Sequence, residues 1–435
     1  MPAIGRDMPD SGLFSRLRGL TCAVAIAIAL PGCISTDFLA PRTTIDERAY
    51  TAVYPYFAEF CAVSEFGKKR GFGVELDSGG PGGHAVFYLN GACRVQAAGY
   101  PELTLCSDPP DHMDGRGVGI SVNEHYRNAN WVATEGRDFF YAGDIAPGEA
   151  VTRASYARTQ EKAKAMGILD GIVFHQKTLA DKPAGMSERD YMYEVSIATD
   201  YGINLARDRY CARVPLDRGR MSTMIQYLNA LNERYRSGRE EFHWNVLRDN
   251  CAYLAHNALA SVGFWPVWST ERPLLVAAFG FPVPKNEFVN LMRRTNDMDI
   301  ADPDALYDDD PARTTLLEQG RLLTQPGALA EARPAMRPNE VYNTNLRLIF
   351  YDDPTFGHYH RWFEQIFRER RYTDLGSNLM YFSTLYANIL ARHRGPDASA
   401  TRAGFDRRYY DAIGREKVTV DATLARMHDA AGQGS

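Results

Sequence analysis

Cys251 lies in the run Arg248-Asp249-Asn250-Cys251-Ala252-Tyr253-Leu254-Ala255-His256-Asn257. Asp249-Asn250 is a capping pair, and the apolar stretch behind it predicts a helix with the cysteine on its first turn. Unpaired N–H groups and the positive dipole end of a helix lower a thiol pKa, and a thiolate is the species that attacks an acyl carbonyl. A structural cysteine can occupy the same place, so the chemistry also needs a base. His84 is the first histidine in the chain and opens the β-prone run His84-Ala85-Val86-Phe87-Tyr88-Leu89, after the turn Ser78-Gly79-Gly80-Pro81-Gly82-Gly83. His243, in the loop before the cysteine, is the alternative base. His256 follows Cys251 by five residues, about 140° around a helix, and cannot reach the thiol.

Other constellations carry less. His358 and His360 form a His-x-His pair, but no third ligand stands at suitable spacing, so they read as the surface of a helical segment and no metal is expected. Asp77-Ser78-Gly79-Gly80-Pro81 matches much of the nucleophile loop of trypsin-like serine proteases. That arrangement needs a histidine and an aspartate earlier in the chain. No histidine precedes His84, and Leu76 replaces the usual first glycine, so the segment reads as a flexible turn. There is no Cys-x-x-Cys, Walker-type loop or dinucleotide fingerprint, and no cofactor is expected.

The elements that must position Cys251 and His84 follow from periodicity. Residues 45–66 read as a helix with Val53, Tyr56, Phe57 and Phe60 on its apolar side. His84–Leu89, Tyr100–Leu105, Val118–Val122 and Asn130–Thr134 read as strands, with Phe139–Tyr141 and Tyr191–Ile197 as two more. Arg218–Tyr235 reads as a helix, with Met221, Met224, Ile225, Leu228 and Leu231 at three-and-four spacing. The Cys251 helix should stop at Gly263, with Pro266 beyond. Asp297, Asp299, Asp302, Asp304 and Asp308–Asp310 suggest an acidic, solvated linker over 291–313. It does not fit a calcium loop, because Ala301 and Asp302 fall where an oxygen ligand and a glycine are needed. Residues 314–435 read as a helical C-terminal region, with Leu375, Leu379, Phe382, Leu385 and Ile389 as one stripe.

The N-terminus places the chain outside the cytoplasm. Arg6, Arg16 and Arg18 precede an apolar run from Leu20 to Leu30, roughly 11 residues, too short to span a bilayer and right for a signal segment. Leu30-Pro31-Gly32-Cys33 looks like a bacterial lipobox, with Cys33 as the lipid-attachment residue. Residues 1–32 would be the signal peptide and 33–44 a tether. Ile34 after the cysteine favours the outer membrane, by resemblance to enterobacterial sorting rules, with the chain expected to face the periplasm. The seven cysteines include Cys22, which leaves with the signal, and Cys33. Cys61, Cys93, Cys106, Cys211 and Cys251 remain, an odd number. In an oxidising compartment four can pair, Cys251 being the candidate free thiol and Cys93 with Cys106 the bridge suggested by local spacing. The net charge is −5 with no Lys/Arg block, so nucleic acid is not an expected partner.

Two separated segments resemble one family. Gly82-Gly83-His84-Ala85-Val86-Phe87 resembles the Gly-His-(small)-apolar strand of circularly permuted, NlpC-like thiol enzymes related to papain. Asp249-Asn250-Cys251-Ala252-Tyr253-Leu254 resembles their Asn-Cys-(small)-aromatic helix start. The match is to the Lnb-like N-terminal periplasmic domain, over roughly 45–270. It implies an α+β class: a permuted papain-like domain over 45–290, with an antiparallel sheet packed on the cysteine-bearing helix, before the helical C-terminal region. It also implies Cys251 as nucleophile, His84 as base, and a third residue that orients His84; Glu102, Asp108 and Asn123 all remain open. The expected function is acyl transfer, or amide or ester hydrolysis, on a lipid, lipoprotein or peptidoglycan substrate, at a membrane reached through the N-terminal lipid. The alternative is a non-enzymatic envelope lipoprotein that uses the same fold for binding or scaffolding. Phe264, Trp265, Trp268 and Leu274–Phe281 could line an apolar cleft beside the thiol, or simply be core.

Overall fold

The computed structural model describes residues 33–35, 42–74, 83–95, 98–107, 115–271, 273, 283–344, 350–352, 358–392 and 400–432. The signal segment 1–32, the Ser78 turn, Asp108 and Leu274–Phe281 lie outside the described residues. The fold is mixed α+β. Its strands are β1 (Cys33–Ser35), β2 (Phe57–Val63), β3 (Gly67–Lys68), β4 (His84–Asn90), β5 (Ala92–Arg94), β6 (Leu103–Leu105), β7 (Gly117–Ser121), β8 (Val132–Glu135), β9 (Arg209–Pro215), β10 (Leu329–Arg333), β11 (Tyr342–Asn343) and β12 (Phe350–Asp352). Six of them form the central sheet in the order β10-β9-β2-β4-β7-β8, with every neighbouring pair antiparallel.

The sheet is covered on both faces, and strand alternation divides its side chains between two cores. Ala58, Phe60, Ala62, Ala85, Phe87 and Leu89 pack with Cys251, Leu254, Ala255 and Ala258 of the cysteine helix and with Met224 and Leu228 of the helix Arg218–Arg236. Phe57, Cys61, Val63, Val86 and Tyr88 face the other way, against Leu379, Phe382, Tyr409 and Ile413 of the two long C-terminal helices Leu375–Arg392 and Ala400–Gly432. A disulfide joins Cys61 to Cys211 across directly opposed positions of β2 and β9, and Cys93 is bonded to Cys106, as local spacing suggested. Cys251 is left as the free thiol.

Several elements differ from the sequence reading. The helix expected over 45–66 is a short helix, Glu47–Val53, followed by β2. All seven residues of β2 are buried, so it shows no alternation, and Val53, Tyr56, Phe57 and Phe60 mimic helical spacing. Tyr191–Ile197 is not a strand. Ser187 caps a helix over Glu188–Ser196 by accepting from the Asp190 N–H, and local acidic residues suit its first turn. Phe139–Tyr141 belongs to the helix Arg137–Ala142.

The acidic stretch is not a free linker. It forms the helices Pro303–Asp308 and Asp310–Gln319, capped by Asp302 and Asp309. Asp309 also holds Arg294 in a two-point ion pair at 2.6 and 2.9 Å. Nor is 33–44 only a tether: β1 pairs with β12, and the Thr43 N–H donates to the Ala332 carbonyl at 3.1 Å. The C-terminal region is not purely helical, because β10 from within it forms one edge of the central sheet.

Candidate thiol site

The helix Cys251–Ala260 begins where the sequence placed it. Asn250 caps it, its side-chain oxygen accepting from the N–H groups of Ala252 and Tyr253 at 2.9 and 3.1 Å. The Asn250 amide in turn donates to the Val246 carbonyl at 2.7 Å, which fixes the loop leading into the cysteine. Cys251 is 8% exposed. Its sulfur accepts a hydrogen bond from the Ala85 N–H at 3.3 Å, which ties the helix start to the first residues of strand β4, beside His84. Gly83, immediately before, has φ +67°, a conformation that glycine adopts without the strain a side chain would bring.

The two residues the sequence singled out are therefore brought to one place, but not into a direct bond. No hydrogen bond joins the His84 ring to the sulfur among the described residues. Alternation along β4 gives Ala85 the parity of Phe87 and Leu89, which face the cysteine helix, whereas His84 shares the parity of Val86 and Tyr88. The His84 Nε2 is buried with no hydrogen-bond partner among the described residues. Burial, reinforced by the nearby Arg207 charge, pulls the imidazole down to about 3, so the ring is neutral at physiological pH. Burial raises the Cys251 thiol, opposed by the N–H groups of Ala85, Ala252 and Cys251 itself and by Arg207.

The other candidates are employed elsewhere. His243 is exposed and stacks on His175, ring centroids 5.3 Å apart. His256 points away from the thiol, with Nδ1 2.6 Å from Glu287 Oε1 and Nε2 donating to the Pro266 carbonyl at 2.9 Å. Its ring lies between Trp265 and Trp268, and the Asn257 side chain bonds both the N–H and the carbonyl of Trp268. These contacts pin the segment after the helix onto the helix, and Phe264 is fully buried, so Phe264, Trp265 and Trp268 serve packing. His358 sits at the N-cap of the helix Tyr359–Arg368, with His360 in its first turn. No group of three metal-binding side chains occurs among the described residues.

None of the described candidates for a third residue touches His84. Glu102 pairs with Arg236 at 3.5 Å, both substantially exposed. Asn123 Nδ2 donates to Asp200 at 3.3 Å, and its oxygen accepts from the His125 N–H. Asp200 is fully buried; burial raises its carboxyl, moderated by hydrogen bonds of which the Ser121 hydroxyl's, at 2.6 Å, is one.

The residue that sequence reasoning missed is Arg207, which is 3% exposed. It donates through Nε to the Ala198 carbonyl at 2.7 Å and through Nη1 to the Ser64 carbonyl at 2.5 Å, with its guanidinium 4.3 Å from the Phe66 ring centroid. Ser64 follows Val63, the residue opposite His84 in the β2–β4 register. Arg207 thus reaches the same end of the sheet as Ala85 and Cys251. An arginine in Ala206-Arg207-Asp208-Arg209 gives no sequence signal of burial. Comparison with family models, with curated proteins and with solved structures finds no match for the chain.

Proposed function

We propose that the chain is a cell-envelope lipoprotein whose Cys251 thiol performs acyl transfer, or amide or ester hydrolysis, on a lipid, lipoprotein or peptidoglycan substrate. One observation carries this reading: the free cysteine sits at a capped helix start, with its sulfur on the β4 amide next to His84, whose buried Nε2 has no hydrogen-bond partner among the described residues. An antiparallel sheet packed on a cysteine-bearing helix is also what a permuted papain-like domain of the Lnb-like type would have. In the proposed reaction the sulfur bonds to the acyl carbon, the carbonyl electron pair moves to oxygen, and the Cys251 N–H at the helix start stabilises that oxyanion. His84 takes the thiol proton in this reading only if its ring turns to the face of β4 that packs on the cysteine helix, and it then delivers the proton to the departing amine or alkoxide as the tetrahedral species collapses to a thioester. Water or an acceptor hydroxyl then releases the acyl group.

The direct test is a chloromethyl or activated-acyl probe applied to the folded protein, followed by peptide mass mapping. Modification of Cys251 in the folded protein is the expected result. A folded protein in which Cys251 stays unmodified contradicts the enzyme reading. A second reading, a binding or scaffolding lipoprotein, is favoured by the absence of a ring–sulfur hydrogen bond and by a thiol that burial pushes up. That outcome is the one an inert Cys251 would support. The envelope assignment rests on Leu30–Cys33. The mature N-terminal peptide is expected to begin at Cys33 and to carry added lipid mass; an unmodified Cys33, or cleavage elsewhere, contradicts it.

A further inference from the structure

We propose that a belt of half-buried aromatic side chains beside the cysteine helix docks on a phospholipid bilayer with anionic headgroups, so that the body of the protein, and not its N-terminal lipid alone, meets the membrane. This inference rests on the envelope reading above. Three of the chain's five tryptophans take part, Trp265, Trp268 and Trp362, and each is half-buried. Trp131, by contrast, is fully buried. An indole is apolar in body and polar at one edge, which suits a boundary between hydrocarbon and water.

The belt is built along the helix Pro284–Asn296. At one end Glu287 holds His256 at 2.6 Å, and the His256 ring is stacked between Trp265 and Trp268, their centroids 4.5 and 3.5 Å away. The Trp265 indole N–H donates to the His256 carbonyl at 2.8 Å, and the Trp268 ring lies 5.0 Å from that of Tyr253. These contacts occupy the inner sides of the two indoles. Between them Pro266 and Val267 are turned to solvent, Val267 being 65% exposed. Asn290 donates to Glu287 at 3.2 Å and is half-exposed, as is Arg293, its neighbour on the same helix face. Arg293 covers the Trp362 ring at 3.9 Å, and Tyr359 meets that ring edge-on at 5.3 Å. One rigid helix face therefore joins the two aromatic groups.

Two observations name the occupant. Cys33, the proposed lipid-bearing residue, opens β1, which pairs with β12, and β12 packs against both Tyr359–Arg368 and Pro284–Asn296. The anchor therefore leaves the fold beside the two helices that carry the belt. The charge of the belt also fits. Arg361, exposed next to Trp362, forms no ion pair among the described residues. Arg293 is 41% exposed, with Asp297 at 4.0 Å, and Glu364 is neutralised by Arg368 at 3.0 Å. Two cations on an aromatic surface suit the phosphates of anionic lipids. Tyr253 and His256 lie about 200° and 140° around the helix from Cys251, so docking sets the cysteine helix at the bilayer without touching the sulfur.

The test is the tryptophan emission of the full-length protein with an excess of phosphatidylglycerol–phosphatidylcholine vesicles, whose upper acyl chains either carry bromine or do not. Bromine quenches indoles that reach the acyl chains. The native protein is expected to lose emission on the brominated vesicles, and Val267→Glu and Arg361→Glu, both exposed positions outside the packing, to recover most of it. The loss should shrink when phosphatidylglycerol is omitted and when salt is raised. Equal emission of the native protein on the two kinds of vesicle overturns the proposal, whether or not Cys33 carries lipid, and so does undiminished quenching in both folded variants. The envelope reading fails separately. Quenching by a protein whose Cys33 is unmodified would leave the belt standing and remove the anchor. A lipid-bearing protein that sediments with vesicles yet is not quenched would do the reverse. Both variants are expected to acylate Cys251 with a soluble activated ester at the native rate.

Discussion

Cys251→Ser is expected to abolish acyl transfer, and His84→Ala to lower it by about 10²–10⁴-fold, the range supplied by a positioned proton-transfer group. The two variants should differ in kind. Without the thiol no thioester can form. Without the imidazole the thiol remains at the capped helix start, still held by the Ala85 N–H, but its proton has no nearby acceptor. A burst of the first product, followed by turnover limited by release of the acyl group, is the kinetic form expected of the native protein. Rates measured with an activated ester, with circular dichroism to verify folding, check both variants. A His84→Ala protein that acylates as fast as the native one would show that the proton leaves by another route.

Glu59→Ala is expected to destabilise the fold by about 3–5 kcal/mol, the range for removing one partner from a buried ion pair. Glu59, on β2, is inaccessible to solvent. It binds Arg137 at 2.8 Å and Arg213 at 2.7 Å, and Arg137 and Arg209 also reach Glu331 on β10 at 3.2 and 3.1 Å. The cluster links β2, β9 and β10 to the helix Arg137–Ala142, and Glu47 adds a further contact from the short N-terminal helix. Deleting the Glu59 carboxylate leaves two guanidinium groups short of an anion in a place water cannot reach. Denaturant unfolding of the variant measures the loss; a change below about 1 kcal/mol would be that of an exposed pair instead.

The same cluster sets a direction for pH. Burial alone would raise the Glu59 and Glu331 carboxyls, but Arg137, Arg213 and Arg209 at Glu59, and Arg209 and Arg137 at Glu331, outweigh it and hold both low, Glu331 at about 2. Carboxyls lowered on folding stabilise the native state above their unfolded pKa, about 4.3. That contribution is lost as pH falls toward 2, so acid unfolding of the native protein should be steeper than that of Glu59→Gln.

The local signals around the thiol were legible in the sequence. Asn250 does cap the Cys251 helix, the helix Arg218–Arg236 follows its three-and-four spacing, and Cys93 pairs with Cys106. What was not legible came from contacts between distant segments. β2 is buried on both faces, so Phe57–Val63 lost the alternation that marks a strand. β10 joins the sheet from beyond residue 320, and no local pattern announces pairing with β9. Arg207 reads as one more charged residue until the chain folds Ser64, Phe66 and Ala198 around it. His84 was correctly placed at a strand start, but the side to which its ring turns depends on the register of β4, which spacing alone does not fix.

The most direct measurement of the central claim is the mass of Cys251 after brief exposure of the folded protein to an activated acyl ester, quenched in acid. Addition of one acyl group to the Cys251 peptide, absent in Cys251→Ser and released by neutral hydroxylamine, is the expected result. No adduct on Cys251, in a sample whose denatured form shows the same cysteine free and reactive, would contradict it.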